Sequence, residues 1–149
     1  MLLLLFETGN GRFALDCREV VEIIPLLRLK KIPASPPYVA GIINYHSQAV
    51  PVLDLCALTE NVPCREVYST RIILVRYPLA EGDDRLVGLI AERVTDVVKS
   101  SQTYRRTSGV LIDEALNEYI AQPGSEEMVQ WFNIKRMLPR ATMEELLYQ

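Results

Sequence analysis

One histidine, His46, serves the whole 149-residue chain. A metal centre built on paired imidazoles is therefore excluded. A histidine-activated nucleophile has little support either. Ser47 is the direct neighbour of His46, and Asp54 follows a few residues on. Neighbours in one turn do not readily reach the geometry in which a base bonds both its nucleophile and its orienting carboxylate. Cysteine is scarce and odd in number: Cys17, Cys56 and Cys64 match no zinc-ligand spacing, and reduced thiols are the expectation. The chain has neither a G-x-x-x-x-G-K run nor a G-x-G-x-x-G run after a strand, so no phosphate cradle is expected. No catalytic residue, metal or cofactor is expected, and the chain does not read as an enzyme.

Charge of one sign is also lacking. The formal net charge is −3, and the chain has no cluster in which aromatics alternate with lysine and arginine. Both points argue against a nucleic-acid-binding barrel, which needs a basic groove with stacking platforms. Long apolar runs are absent as well. Met1–Phe6 is far too short to span a bilayer and carries no basic leader, so it reads as a buried first strand and the chain as cytoplasmic.

What is present is apolar material in short, punctuated pieces. Apolar residues make up 49% of the chain and charged residues 23%, enough for one globular domain or two small subdomains on a shared core. The pattern predicts strands over Leu2–Phe6, Arg12–Cys17, Val20–Ile24, Arg71–Tyr77, Leu86–Ala91, Val94–Val98, Leu116–Ala121 and Met128–Phe132. Gly9-Asn10-Gly11 reads as a hairpin turn using positive φ. Arg28, Lys30 and Lys31 form a basic cluster before the proline-rich run Pro33–Pro37, either a solvated loop or a rim for a partner. Ser100–Glu114 is polar and resists assignment, and Pro123-Gly124-Ser125 is expected to be a turn.

The chain is organised around Tyr38–Leu55, YVAGIINYHSQAVPVLDL. It reads as a hairpin of Val39–Tyr45 and Ala49–Leu53, reversed by His46, Ser47 and Gln48. Pro51 lacks an amide hydrogen, which predicts an edge or a bulge there. Asp54 is placed to cap a short helix over Leu55–Leu58. A weak repeat lays Val50–Leu58 on Val129–Met137, so Asn133 is expected to cap a helix over Ile134–Leu138. Thr142 and Glu145 read as a capping box for a terminal helix. Gly41 and Gly88 fall within strands, which predicts a bulge or close backbone packing, or room for a partner's side chain.

Pro37-Tyr38-Val39, Gly41-Ile42-Ile43-Asn44 and Val50-Pro51-Val52-Leu53-Asp54-Leu55 resemble the CheW-like pattern P-x-Y-V-x-G-V-I-N-L-R-G-x-V-V-P-V-I-D-L. The run Leu86–Val98 resembles its second motif, V-G-L-x-V-D-x-V-x-x-V, with Glu92 in place of the aspartate. The resemblance extends from Phe6 to Leu138. It implies an all-β fold with short helices: two SH3-like five-stranded β-barrels over a shared apolar core, plus a short C-terminal helix, all one domain over residues 1–149. It also implies a non-enzymatic adaptor coupling chemoreceptor cytoplasmic tips to the regulatory domain of the histidine kinase CheA, cytoplasmic and peripheral to membrane receptor arrays. By the same resemblance Val20, Gly41, Asn44, His46, Gly88, Val94 and Val97 face partners. The chain departs from the pattern where Tyr45-His46-Ser47 replaces Leu-Arg-Gly. That departure raises an alternative, an adaptor for a motility or surface-sensing pathway with an altered receptor contact.

Overall fold

The structure is a computed structural model that describes residues 1–79, 82–99, 104–107, 118–121 and 128–147. Strands β1 (Leu2–Glu7), β2 (Arg12–Asp16) and β3 (Val20–Pro25) come first, with a 3-10 turn at Cys17–Glu19. The central hairpin is β4 (Val39–Tyr45) and β5 (Gln48–Asp54), followed by helix α1 (Leu55–Glu60). Then come β6 (Arg71–Pro78), β7 (Asp84–Ala91), β8 (Arg93–Lys99), β9 (Tyr104–Thr107), β10 (Glu118–Ala121) and β11 (Met128–Trp131). Two helices, α2 (Ile134–Met137) and α3 (Arg140–Leu147), close the chain.

The strands form two sheets, ordered β8-β1-β2-β11-β10-β9 and β3-β6-β7-β5-β4. Apart from β9, the two have one topology. Each starts with an antiparallel edge pair (β8–β1, β3–β6) and continues with a hairpin (β1–β2, β6–β7). Each then has a single parallel contact (β2–β11, β7–β5) and a second antiparallel pair (β11–β10, β5–β4). The faint repeat between Val50–Leu58 and Val129–Met137 is thus the trace of a repeated fold unit. In both copies the strand before the capped helix is the one that makes the parallel contact. The first sheet is built from both ends of the chain and the second from its middle.

Three apolar clusters lie among the described residues. One lies between the sheets and takes Leu4, Phe6, Phe13 and Leu15 from one side, and Leu53, Ile73, Val75 and Leu89 from the other. Phe6, Phe13 and Phe132 meet there with ring centroids 5.6–5.8 Å apart. The second cluster belongs to the β3-to-β4 sheet alone, with Ile24, Ile43, Val50, Val52, Ile72 and Leu74. The third, Leu3, Leu5, Ala14 and Val129, lies on the far face of the other sheet. Side chains alternate across a strand, so a strand covered on both faces must be apolar throughout. That is why β1 reads Leu-Leu-Leu-Leu-Phe. It is a shared-core arrangement, as expected, with one strand more than expected. β9 falls in the unassigned polar stretch, because an edge strand reading Tyr-Arg-Arg-Thr has no apolar alternation to betray it.

Several local expectations are corrected. The hairpin turn at Gly9–Gly11 is a four-residue loop without positive φ among its residues. It is closed by the Thr8 amide donating to the Gly11 carbonyl at 2.9 Å and the Gly11 amide donating to Thr8 Oγ1 at 3.1 Å. Loops of that length are commonly built on a type I turn, which needs no left-handed residue. Pro51 is in an interior strand, and the bulge in this hairpin is on β4. Pairing of β5 with β7 begins only at Val52, so on that side Pro51 lies ahead of the ladder. Thr142 does not cap α3. The helix starts two residues earlier, the Pro139 carbonyl accepts the Met143 amide at 3.0 Å, and the Thr142 hydroxyl bonds the Tyr38 hydroxyl. Cys56 and Cys64 are not separate thiols but form a disulfide with Cα atoms 4.9 Å apart, leaving Cys17 free. An odd count hid a pair. The turn expected at Pro123-Gly124-Ser125 lies outside the described residues.

Candidate partner-binding surface

The hairpin β4–β5 is reversed by His46 and Ser47 alone, since Tyr45 pairs with Gln48. Both are left-handed, with φ of 47° and 65°. A two-residue connection with positive φ at both positions matches the right-handed twist of its strands, which is why Asn-Gly usually fills it. Here two residues with side chains hold that conformation, and both are exposed. The His46 ring packs edge-on against Tyr45, centroids 4.3 Å apart.

Tyr45 then anchors the turn. Its hydroxyl donates to the Glu22 carboxylate, which holds the phenol above its ordinary pKa. Glu22 belongs to β3 and Tyr45 to β4, the two opposite edges of one sheet. The sheet therefore curls far enough for its edge side chains to touch. The substitution of tyrosine for the pattern's leucine is what supplies this contact.

Asp54 sits at the other end of β5. Its carboxylate accepts the Ala57 amide at 3.0 Å, capping α1, and the Cys64 amide at 3.1 Å. Asn133 caps α2 through the Arg136 amide at 3.2 Å. Both assignments as structural caps hold. A second buried carboxylate, Glu92, accepts from the next amide along, that of Arg65, at 3.1 Å and from the Arg65 guanidinium at 3.2 Å. The Glu92 amide donates to Glu7 in the other sheet, so this bend joins the two.

The residues named for partner contact occupy four places. Asn44 and His46 are exposed at the turn end of the β4–β5 hairpin. Val20, at the start of β3, and Val94, on β8 opposite Phe6, are half-buried against the same between-sheet core. Val97, also on β8, is exposed. Gly41 and Gly88 are buried inside the second sheet. Gly41 sits at the β4 bulge with φ of 149°, and a Cβ there would lie 2.5 Å from the Lys30 carbonyl oxygen. A Cβ on Gly88 would meet Ile72 and Val52 at 2.9 Å. The expected bulge and close packing are both present, and the close approach comes from the chain itself. The structure thus places Asn44 and His46 at one hairpin end and Val20 and Val94 against one core, and does not gather all seven into one patch.

The profile of the CheW-like domain family matches residues 2–142. The chain belongs to the CheW-like domain family. Among curated relatives, it is 28% identical over 120 residues to the chemotaxis protein CheW of Treponema pallidum, covering 79% of this chain and 69% of that one. It is 23% identical over 142 residues to the chemotaxis protein CheW of Klebsiella aerogenes, covering 94% and 82%. Among solved structures, it is similar in fold to the scaffolding protein TtCheW from Thermoanaerobacter tengcongensis, with a TM-score of 0.72, 21% identity, and coverage of 93% and 87%. Among the described residues, no helix is long and apolar enough to cross a membrane.

Proposed function

We propose that this protein is a non-enzymatic chemotaxis adaptor that couples chemoreceptors to a CheA-type histidine kinase. The observation that carries the reading is the CheW-like family match across residues 2–142. The two-sheet architecture suits it: its hairpins and edge strands offer docking surface in several directions. On this reading the chain is one domain of two subdomains and works in the cytoplasm beside membrane receptor arrays. The kinase regulatory domain and the receptor tip are its partners. Val20, Val94 and Val97 form the apolar part of the receptor contact, Asn44 and His46 the polar part, and Gly41 and Gly88 let the backbone there pack closely.

Binding of the purified chain to the regulatory domain of its host's CheA tests the reading. A complex burying an ordinary interface, roughly 1,200–2,000 Å² in total, is expected. No complex with any CheA of the host at concentrations of roughly tens of micromolar, about −6 to −7 kcal/mol, overturns it.

The Tyr45-His46-Ser47 turn supports a narrower version. Arginine in the family pattern offers five donors in a planar fork, whereas an imidazole offers at most two. Contact with receptors of the ordinary type is therefore expected to be weaker than contact with the kinase. Tighter receptor binding by the double variant His46→Arg, Ser47→Gly bears this out. Equal binding by the native chain removes it.

A further inference from the structure

A cleft of about 590 Å³ opens on the second sheet, away from the β4–β5 turn and β8. One lip is the segment Leu26–Leu29 and the other is Pro63–Glu66, with Ile90 between them. Four of the nine exposed large apolar residues among the described ones lie on these lips or directly beside them: Leu27, Val62, Val67 and Tyr68. Tyr68 is 99% exposed. Scattered exposed apolar residues need no explanation, but a concentration around a concavity marks a contact site.

Two further features say what fits. Leu26–Leu29 leads from β3 to the isolated bridge between Lys30 and Ile42, and makes no main-chain hydrogen bond among the described residues. The segment lies outside the strands and follows directly on β3, an edge strand, so its amides and carbonyls are open to pair with an extended peptide. Arg28 and Lys31 line the same lip, are exposed, and pair with no carboxylate among the described residues. Glu66 stands on the opposite lip, so the charge across the cleft is polarised. The facing lip is held in place by the Cys56–Cys64 disulfide and the bond from the Cys64 amide to Asp54.

We propose that this cleft binds an extended peptide segment of a partner protein, apolar on alternate residues and acidic between them. The peptide adds to Leu26–Leu29 as a strand. Its apolar side chains enter the cleft over Ile90, its carboxylates meet Arg28 and Lys31, and Glu66 fixes its direction. None of its residues is among those proposed for receptor contact.

The probe is a fluorescein-labelled octapeptide alternating leucine with glutamate, read by polarisation and by backbone amide shifts of the intact protein. Saturable binding is expected, with shifts centred on Leu27, Leu29 and Cys64. The double variant Arg28→Glu, Lys31→Glu should weaken it at least about tenfold, as should replacing glutamate by lysine in the peptide. Leu27→Ser should weaken it with the charges intact. These positions are exposed, so unchanged circular dichroism confirms the fold. No saturable binding up to about 1 mM, the −4 kcal/mol threshold, overturns the proposal. So does equal binding by the charge-reversed variant, or a shift pattern centred on β8 or the β4–β5 turn.

Discussion

The β5–Asp54–α1 unit and the β11–Asn133–α2 unit have the same plan but different fittings. Each is a strand running parallel to one neighbour, a polar cap, and a short apolar helix. Asp54 is buried and holds two backbone amides, one of them ten residues away at Cys64. Asn133 is half-buried and holds one, three residues away. A disulfide locks α1 to the following loop, whereas α2 runs through Leu138 into α3. The strand sheets differ in the same sense: Gly41 and Gly88 fall in the strands of the second sheet, and the strands of the first contain no glycine. The same topology thus carries a two-donor cap, a disulfide and close glycine packing in one half, and a single-donor cap in the other. A charged cap is tolerated inside only where several donors converge on it.

The largest expected break in this comparison is Gly41→Asp. Left-handed strain, a Cβ 2.5 Å from the Lys30 carbonyl and a buried charge combine there. A loss of about 4 kcal/mol or more is expected, most of the stability of a domain near the low end of the ordinary range of about 5–15 kcal/mol. Any loss of receptor coupling in that variant then follows from loss of the fold, which thermal unfolding detects. A folded Gly41→Asp protein that fails only in receptor binding would contradict this account.

Next is the pair of cap deletions. Asp54→Ala removes a helix cap and strands the buried Cys64 amide, about 3 kcal/mol together. Asn133→Ala removes a cap alone, about 1 kcal/mol. Urea unfolding separates the two, and equal losses would show that the units are equivalent after all.

The disulfide comes third. It closes a span of 8 residues, for which chain entropy gives about 2.5 kcal/mol. Cys56→Ser combined with Cys64→Ser should lower stability by that order. Mass spectrometry after alkylation without reductant should find one reactive cysteine, Cys17. Three labelled cysteines would place the pair in the reduced state.

Two smaller effects concern turns. Ser47→Gly relieves a left-handed residue and should stabilise by up to about 1 kcal/mol, seen as a raised Tm. An unchanged or lower Tm would mean that Ser47 has a compensating contact. Asp16 caps the 3-10 turn after β2 and is bonded by Arg18, chiefly through the guanidinium, which holds its carboxyl below the ordinary 3.8. A depressed folded pKa contributes stability above the ordinary value and loses it as pH falls through the folded one. Arg18 is exposed, so the effect is small and screened by salt. Asp16→Asn should flatten this acid limb of a Tm-against-pH curve; an unchanged limb would assign it to other carboxylates.

The sequence by itself determined the strands with strong alternation or continuous apolar runs, both helix caps and the family. These depend on neighbours in the chain: period-two patterning, a polar side chain just ahead of a helix, a motif of fixed spacing. It also exposed the departure at Tyr45-His46-Ser47, though not that Tyr45 would reach across to Glu22. Only the tertiary structure decided that Cys56 meets Cys64, that Gly41 lies under the Lys30 carbonyl, and that β9 extends a sheet. It also decided that the two halves repeat one strand order while one takes its strands from both ends of the chain and the other from its middle. The physical reason is the same in each case. A group from another segment closes the contact, and no local periodicity records which segment that is.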